Sequence, residues 1–239
     1  MIGTRRLILL GGASLALHEA ALADRKKKPR HKKQNKHRKK HKGATGDVDH
    51  NAILAKLATQ LHYGLRDDKV SAENLESRLA KGEIVEVQCS NQAMLGVRAV
   101  RHAGGRSRIV GAFGYPFVRG PEDGHVMMEV YSGGQWLCYD VMCKVQALDD
   151  TGIPCSLDKW CASQQPGWRR FADDGGYYPQ ESELPRIYAA ILGTPWIARS
   201  DGPIRGVFYS QDSKDASHIM ANYKWLERVS LKEWQAVAS

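Results

Sequence analysis

The stretch that most constrains this chain is Gly124 to Cys143, Gly-His-Val-Met-Met-Glu-Val-Tyr-Ser-Gly-Gly-Gln-Trp-Leu-Cys-Tyr-Asp-Val-Met-Cys. Two runs rich in β-branched and aromatic residues flank Gly133-Gly134, a pair able to take the positive φ angles of a two-residue turn, so a β-hairpin is predicted. The turn sets the register, with Tyr131 opposite Trp136, Met127 opposite Asp140 and His125 opposite Met142. Opposed residues share a face and every second residue returns to it, which makes His125 and Asp140 diagonal neighbours on one face. A slip of one residue would send them to opposite faces. At that spacing a carboxylate can hold an imidazole. Such a pair needs a nucleophile, and Cys89 offers one upstream.

At 239 residues the chain is long enough for one medium domain with appendages. Its net charge of +9 misleads, because residues 1–42 hold 14 of the 35 Lys/Arg and only two of the 26 acids, Glu19 and Asp24. That leaves 21 basic against 24 acidic residues in the remainder, a mildly acidic body with a basic tail. A fold specific for nucleic acid would keep its positive charge on the domain itself, so specific nucleic-acid binding is not expected.

Met1 to Ala23 has the form of an export signal. Arg5-Arg6 precede an apolar run from Leu7 to Leu17, and Ala21-Leu22-Ala23 fits small-x-small cleavage. As a helix the run would span about 16 Å against a hydrocarbon core of ~30 Å, too short for a lasting anchor, so no membrane span is expected in the mature chain. The twin-arginine and the general secretory routes both remain open. Residues 24–46 are a Lys/Arg/His-rich tract without apolar periodicity, expected to be disordered. Its stretch 25–42 would tether the protein to anionic surfaces of the cell envelope. The folded domain is expected over 47–239, in a periplasmic or extracellular setting.

Five cysteines occur, at 89, 138, 143, 155 and 161. In an exported chain Cys138, Cys143, Cys155 and Cys161 are disulfide candidates with three pairings open, and the isolated Cys89 is left as a free thiol. Their spacings are wider than those of usual zinc ligands, so neither metal nor cofactor is expected.

Along the domain, Ile53, Leu54, Leu57, Ala58, Leu61 and Leu65 keep a helical period from about Val48, closing near Gly64 to Asp68. Ser71 is placed to cap a second helix that stops at Gly82, and Ile84 to Val87 is extended. Cys89 then opens a small-residue helix ending at Gly104-Gly105. A cysteine in a helix's first turn meets the positive end of the macrodipole and unpaired N–H groups, which favour a thiolate and can bind an oxyanion. The Cys89 N–H is one such donor; the second is left open between Gln88 and a residue that the sequence does not identify. Arg108 to Tyr115 is a predicted strand, and the apolar character of both hairpin faces requires cover on both sides. Residues 144–186 read as a long loop. Beyond them a helix is expected at 187–192, a strand at 206–209, a helical tail from 217 to 229, and a capping-box helix from Ser230. Helices followed by consecutive strands indicate an α+β domain.

The order of a helix-borne Cys89, His125 at a strand start and Asp140 on the next strand resembles the transglutaminase-like branch of the papain-like cysteine enzymes. The resemblance covers about Glu83 to Met142. It is carried by Val-Gln-Cys before a small-residue helix and by Gly-His-Val-Met-Met-Glu-Val-Tyr with Gly-Gln-Trp and Tyr-Asp. It implies a catalytic helix packed on an antiparallel sheet, with Cys89 as nucleophile, His125 as base and Asp140 as its orienting acid. Ser90 stands where animal transglutaminases have tryptophan, which speaks against protein cross-linking and leaves hydrolysis or another acyl transfer open. Val141 replaces a proline that often follows the aspartate. The expected substrate is a peptide or a peptide-bearing wall polymer. A rival thiol, Cys138, shares the His125 face by alternation but lacks a helix end.

Overall fold

The computed structural model describes residues 48–114, 124–173, 179–199 and 205–239. The stretches read as an export signal and a basic tract, together with residues 115–123, 174–178 and 200–204, lie outside the described residues.

Asp49 caps the first helix, α1 (His50–Ala58), by accepting from the Ala52 N–H. The helical spacing of leucines continues beyond Ala58, but the chain does not follow it. Leu61–Tyr63 forms a strand, β1, paired in parallel with β2 (Val85–Val87). Between them Ser71 caps α2 (Ala72–Ala80), and Gly82 leaves the helix at φ 82°. The next helix is α3 (Cys89–His102).

The main sheet has eight strands. They are β3 (Arg106–Phe113), β4 (Gly124–Ser132), β5 (Gln135–Asp140), β6 (Val145–Leu148), β7 (Gly167–Arg170), β8 (Thr194–Arg199), β9 (Arg205–Phe208) and β10 (Leu226–Arg228). Their spatial order is β10-β9-β8-β3-β4-β5-β6-β7, antiparallel throughout except for the parallel β9–β10 pair. Gly133 and Gly134 turn the β4–β5 hairpin at φ 57° and 84°, and Tyr131 pairs with Trp136 as the turn predicts. Four further helices are α4 (Leu157–Ala162), α5 (Leu184–Ile191), α6 (Ser213–Asn222) and α7 (Leu231–Ala238). Ser230 and Glu233 close a complete capping box on α7.

The domain is therefore α+β with a large mixed sheet. Two expectations for its second half are corrected. The stretch read as a loop holds β6, α4 and β7, and the helical tail from 217 to 229 breaks at Asn222 into strand β10.

Helices cover both sheet faces. α3 takes one: a Cβ on its Gly96 would meet the Met128 sulfur at 2.5 Å and Val141 at 3.2 Å, and Ser107 Oγ donates to Val97 O at 2.9 Å. The other face carries Glu129, paired across the ladder with Cys138. There the Leu157 N–H that opens α4 donates to Glu129 at 2.7 Å. Arg108 donates to Glu129 at 2.6 Å and to the last carbonyls of α7, Val237 and Ala238.

Candidate functional site

The N-terminus of α3 is fastened from several sides. Gln92 Nε2 donates to Val87 O at 2.9 Å and to His62 O at 3.2 Å, tying the first turn to β1 and β2. Asp68 Oδ1 accepts from the Gln88 N–H at 2.9 Å and from Asn91 Nδ2 at 3.0 Å. The adjacent Asp67 anchors the same corner. Burial pushes its carboxyl up, but hydrogen bonds from Arg78, the Glu86 N–H and Arg66 carry it down to about 2. Cys89 is thus the first residue of a rigidly seated helix, and only 4% exposed. Gln88, one candidate for the second oxyanion donor, has its backbone N–H engaged by Asp68. The Cys89 N–H lies in the first helical turn, where no intrahelical acceptor exists. Ser90 Oγ, beside it in sequence, is buried without a hydrogen-bond partner.

The β4–β5 ladder ends at Met128 and Tyr139. Beyond it side chains take over: His125 Nε2 and Asp140 Oδ2 lie 2.8 Å apart, both residues wholly buried. A carboxylate against Nε2 places a ring proton there and leaves Nδ1 as the remaining nitrogen. Nδ1 is buried and has no hydrogen-bond partner.

Asp140 is held from three directions. Oδ1 accepts from the Cys143 N–H at 3.0 Å, and Oδ2 accepts from the Tyr188 hydroxyl of α5 at 3.1 Å in addition to His125. Burial opposes a charge on Asp140, but the His125 imidazolium and these donors keep its carboxyl below the usual range. Burial likewise opposes a charge on His125. The charges of Asp140 and Cys89 and hydrogen bonding with Asp140 and Cys143 outweigh it, holding the ring well above the ordinary histidine value.

His125 and Asp140 thus meet as the hairpin register requires, and a third group joins them. The ligand atoms of His125, Asp140 and Cys143 lie within 4.8 Å of one another, all buried. That nitrogen, oxygen and sulfur set is of the kind that takes zinc, although Asp140 and Nε2 already satisfy each other here. Cys89 is not part of that set. Its charge registers on His125, but no hydrogen bond joins it to the ring among the described residues. It opens the helix that lies on the face of Met128 and Val141, whereas strand alternation assigns His125 and Asp140 to the Glu129 face. The two thiols differ in surroundings. Burial first, and then the Asp140 carboxylate, push Cys143 up to about 12, which keeps it a thiol.

Sequence reasoning did not find Cys143 or Tyr188 as partners of Asp140. Cys143 carried a signal, since an aspartate side chain commonly accepts from the N–H three residues on. Tyr188, 48 residues away, carried none. The four cysteines expected to pair are free thiols here, with Cys143 drawn into the site.

No family model and no curated protein matches the chain. A solved structure from Cytophaga hutchinsonii, described as a candidate cysteine protease, shows 22% identity and a TM-score of 0.29 over 39% of this chain and 30% of its own length. The chain spans less than a third of that protein, and a likeness this slight bears on neither mechanism nor substrate. Among the described residues, no helix is long and apolar enough to cross a membrane.

Proposed function

We propose that the chain is an exported cysteine-dependent acyl-transfer enzyme of transglutaminase-like type, hydrolysing amide bonds of peptides or peptide-bearing wall polymers. The observation that carries this reading is the buried His125–Asp140 pair, which occupies Nε2 and leaves Nδ1 without a partner.

Cys89 is the nucleophile in this scheme, which requires the start of α3 to reach His125 past the strand end, since alternation assigns the two to opposite sheet faces. The end of α3 and the imidazolium of His125 both stabilise negative charge on its sulfur during attack on a carboxamide carbon. The Cys89 N–H receives the oxyanion, and His125 Nδ1–H protonates the leaving amine. Neutral His125 then draws a proton from water, whose oxygen cleaves the thioester; the sulfur leaves as thiolate beside the regenerated imidazolium, as at the start. Asp140 fixes the ring's tautomer and direction throughout. Cys143, held protonated beside a carboxylate, supports the position of Asp140 and is not the attacking group. Water is the default acyl acceptor unless a site excludes it, so hydrolysis is favoured over cross-linking. The basic stretch 25–42 serves as a tether to anionic envelope polymers.

A screen of the purified chain against peptide and wall-fragment libraries tests the reading. Turnover that Cys89→Ala abolishes and Cys143→Ser retains supports it. No turnover on any amide, with binding to anionic wall polymer that persists in Cys89→Ala, replaces it with a non-catalytic envelope-binding protein.

A further inference from the structure

Three thiols, two of them buried and Cys161 partly exposed, take no part in that chemistry. Cys138 and Cys155, at 0% and 2% exposure, and Cys161 on α4 lie within one another's electrostatic reach on the side of Glu129. Cys143 belongs instead with His125 and Asp140. The four cysteines outside α3 are therefore split three to one, and two bridges among them are not available.

Within the trio the backbone singles out one pair. The Cys138 N–H donates to Cys155 O at 2.8 Å, and the Cys155 N–H donates to Ala147 O at 3.2 Å. Pro154 bridges to Leu148 beside them, so this short segment lies between β5 and β6 like an extra strand. The two residues share this single bond, and with ordinary backbone bond lengths it holds their α-carbons within about 6.5 Å of each other. Disulfides span α-carbon distances of ~4.4–6.8 Å. Cys161 has no comparable main-chain link to either partner among the described hydrogen bonds; it is brought near by the packing of α4.

We propose that Cys138 and Cys155 close one disulfide in the mature protein, with Cys89, Cys143 and Cys161 remaining thiols. The two thiols lose two protons and two electrons to a disulfide carrier, whose own S–S bond is reduced to two thiols as the new bond forms. The bond would pin β5 two residues before Asp140. It would also close the segment that contains both Asp140 and Cys143, steadying the carboxylate that holds His125. Export, part of the function proposed above, supplies only the setting in which the oxidant is met.

The test refolds the full chain in a buffer of oxidised and reduced glutathione, traps free thiols by alkylation under denaturing conditions and maps the peptides by mass spectrometry. The expected result is one cross-linked peptide joining Cys138 to Cys155, about 2 Da lighter than its reduced parts, with the other three cysteines alkylated. Cys161→Ser should keep the bond and Cys155→Ser should abolish it. A bridge to Cys161 or Cys143, a stable mixed disulfide with glutathione in place of the bridge, or five alkylated cysteines overturns the proposal. The readout involves neither turnover nor Cys89, so its failure and that of the enzymatic reading are distinguishable.

Discussion

The Tyr188 hydroxyl and His125 Nε2 meet at a single oxygen, Oδ2 of Asp140, at 3.1 and 2.8 Å. The phenol shares the negative charge that holds the ring, and burial together with that carboxylate keeps Tyr188 itself protonated. Tyr188→Phe removes one donor and leaves the ring's bond intact. A hydrogen bond to a charged group contributes roughly 1.5–3 kcal/mol, so kcat/KM should fall by about ten- to a hundredfold. Asp140, with one donor fewer, becomes easier to protonate. The acid limb of the pH–rate profile should therefore move to higher pH, a shift that a merely structural loss would not produce.

The His125–Asp140 pair also predicts a pH window of stability. His125 is raised on folding, so its contribution is complete below the ordinary value of 6.5 and fades as pH climbs through its higher folded value. Asp140 is lowered, so its contribution is complete above 3.8 and fades as pH falls through its lower folded value. Between 3.8 and 6.5 both act in full. Asp140→Asn leaves a buried imidazole without its counter-charge and should cost about 3–5 kcal/mol in that window. Thermal melts of both proteins across pH should show the gap narrowing on the alkaline side as His125 loses its proton.

On the same sheet face, Arg108 and Glu129 form an ion pair at 2.6 Å, with the arginine also closing the C-terminal end of α7. Burial raises Glu129 even with Arg108 beside it, so the carboxylate depends on its partner. Arg108→Ala should destabilise by about 3–5 kcal/mol in urea denaturation, whereas Arg108→Met with Glu129→Leu should recover much of that loss.

Gly111 pairs with Val126 on one side and Trp196 on the other. A Cβ there would meet the Trp196 indole and would stand 2.5 Å from the His125 carbonyl oxygen. Neither neighbour is a flexible chain end. Gly111→Ala should cost about 1–3 kcal/mol and shift the strand that carries His125. Activity measured well below the melting temperature should fall as well.

The parts legible in the sequence were those set by local chemistry. Gly133-Gly134 fixes a turn, the turn fixes a register, and the register brings His125 to Asp140. Ser71 and Ser230 mark helix starts by the bonds that their side chains make. Where pairing with a distant partner decides the outcome, local pattern failed. Leu61 keeps the period of α1, but Val85 claims it for a strand. Gly167–Arg170 has two arginines and no alternation of its own, and becomes β7 by pairing with β6. Asp140's hold on Tyr188 depends on where α5 packs, which no spacing in the chain reveals.

The central claim is that Cys89 is the sulfur served by His125. Native protein at neutral pH, treated briefly with a small alkylating reagent such as iodoacetamide and mapped by peptide mass, tests it directly. Cys89 should be modified first, and His125→Gln should slow that modification by about tenfold or more. First labelling at Cys143, or labelling of Cys89 at a rate indifferent to His125, would contradict the account.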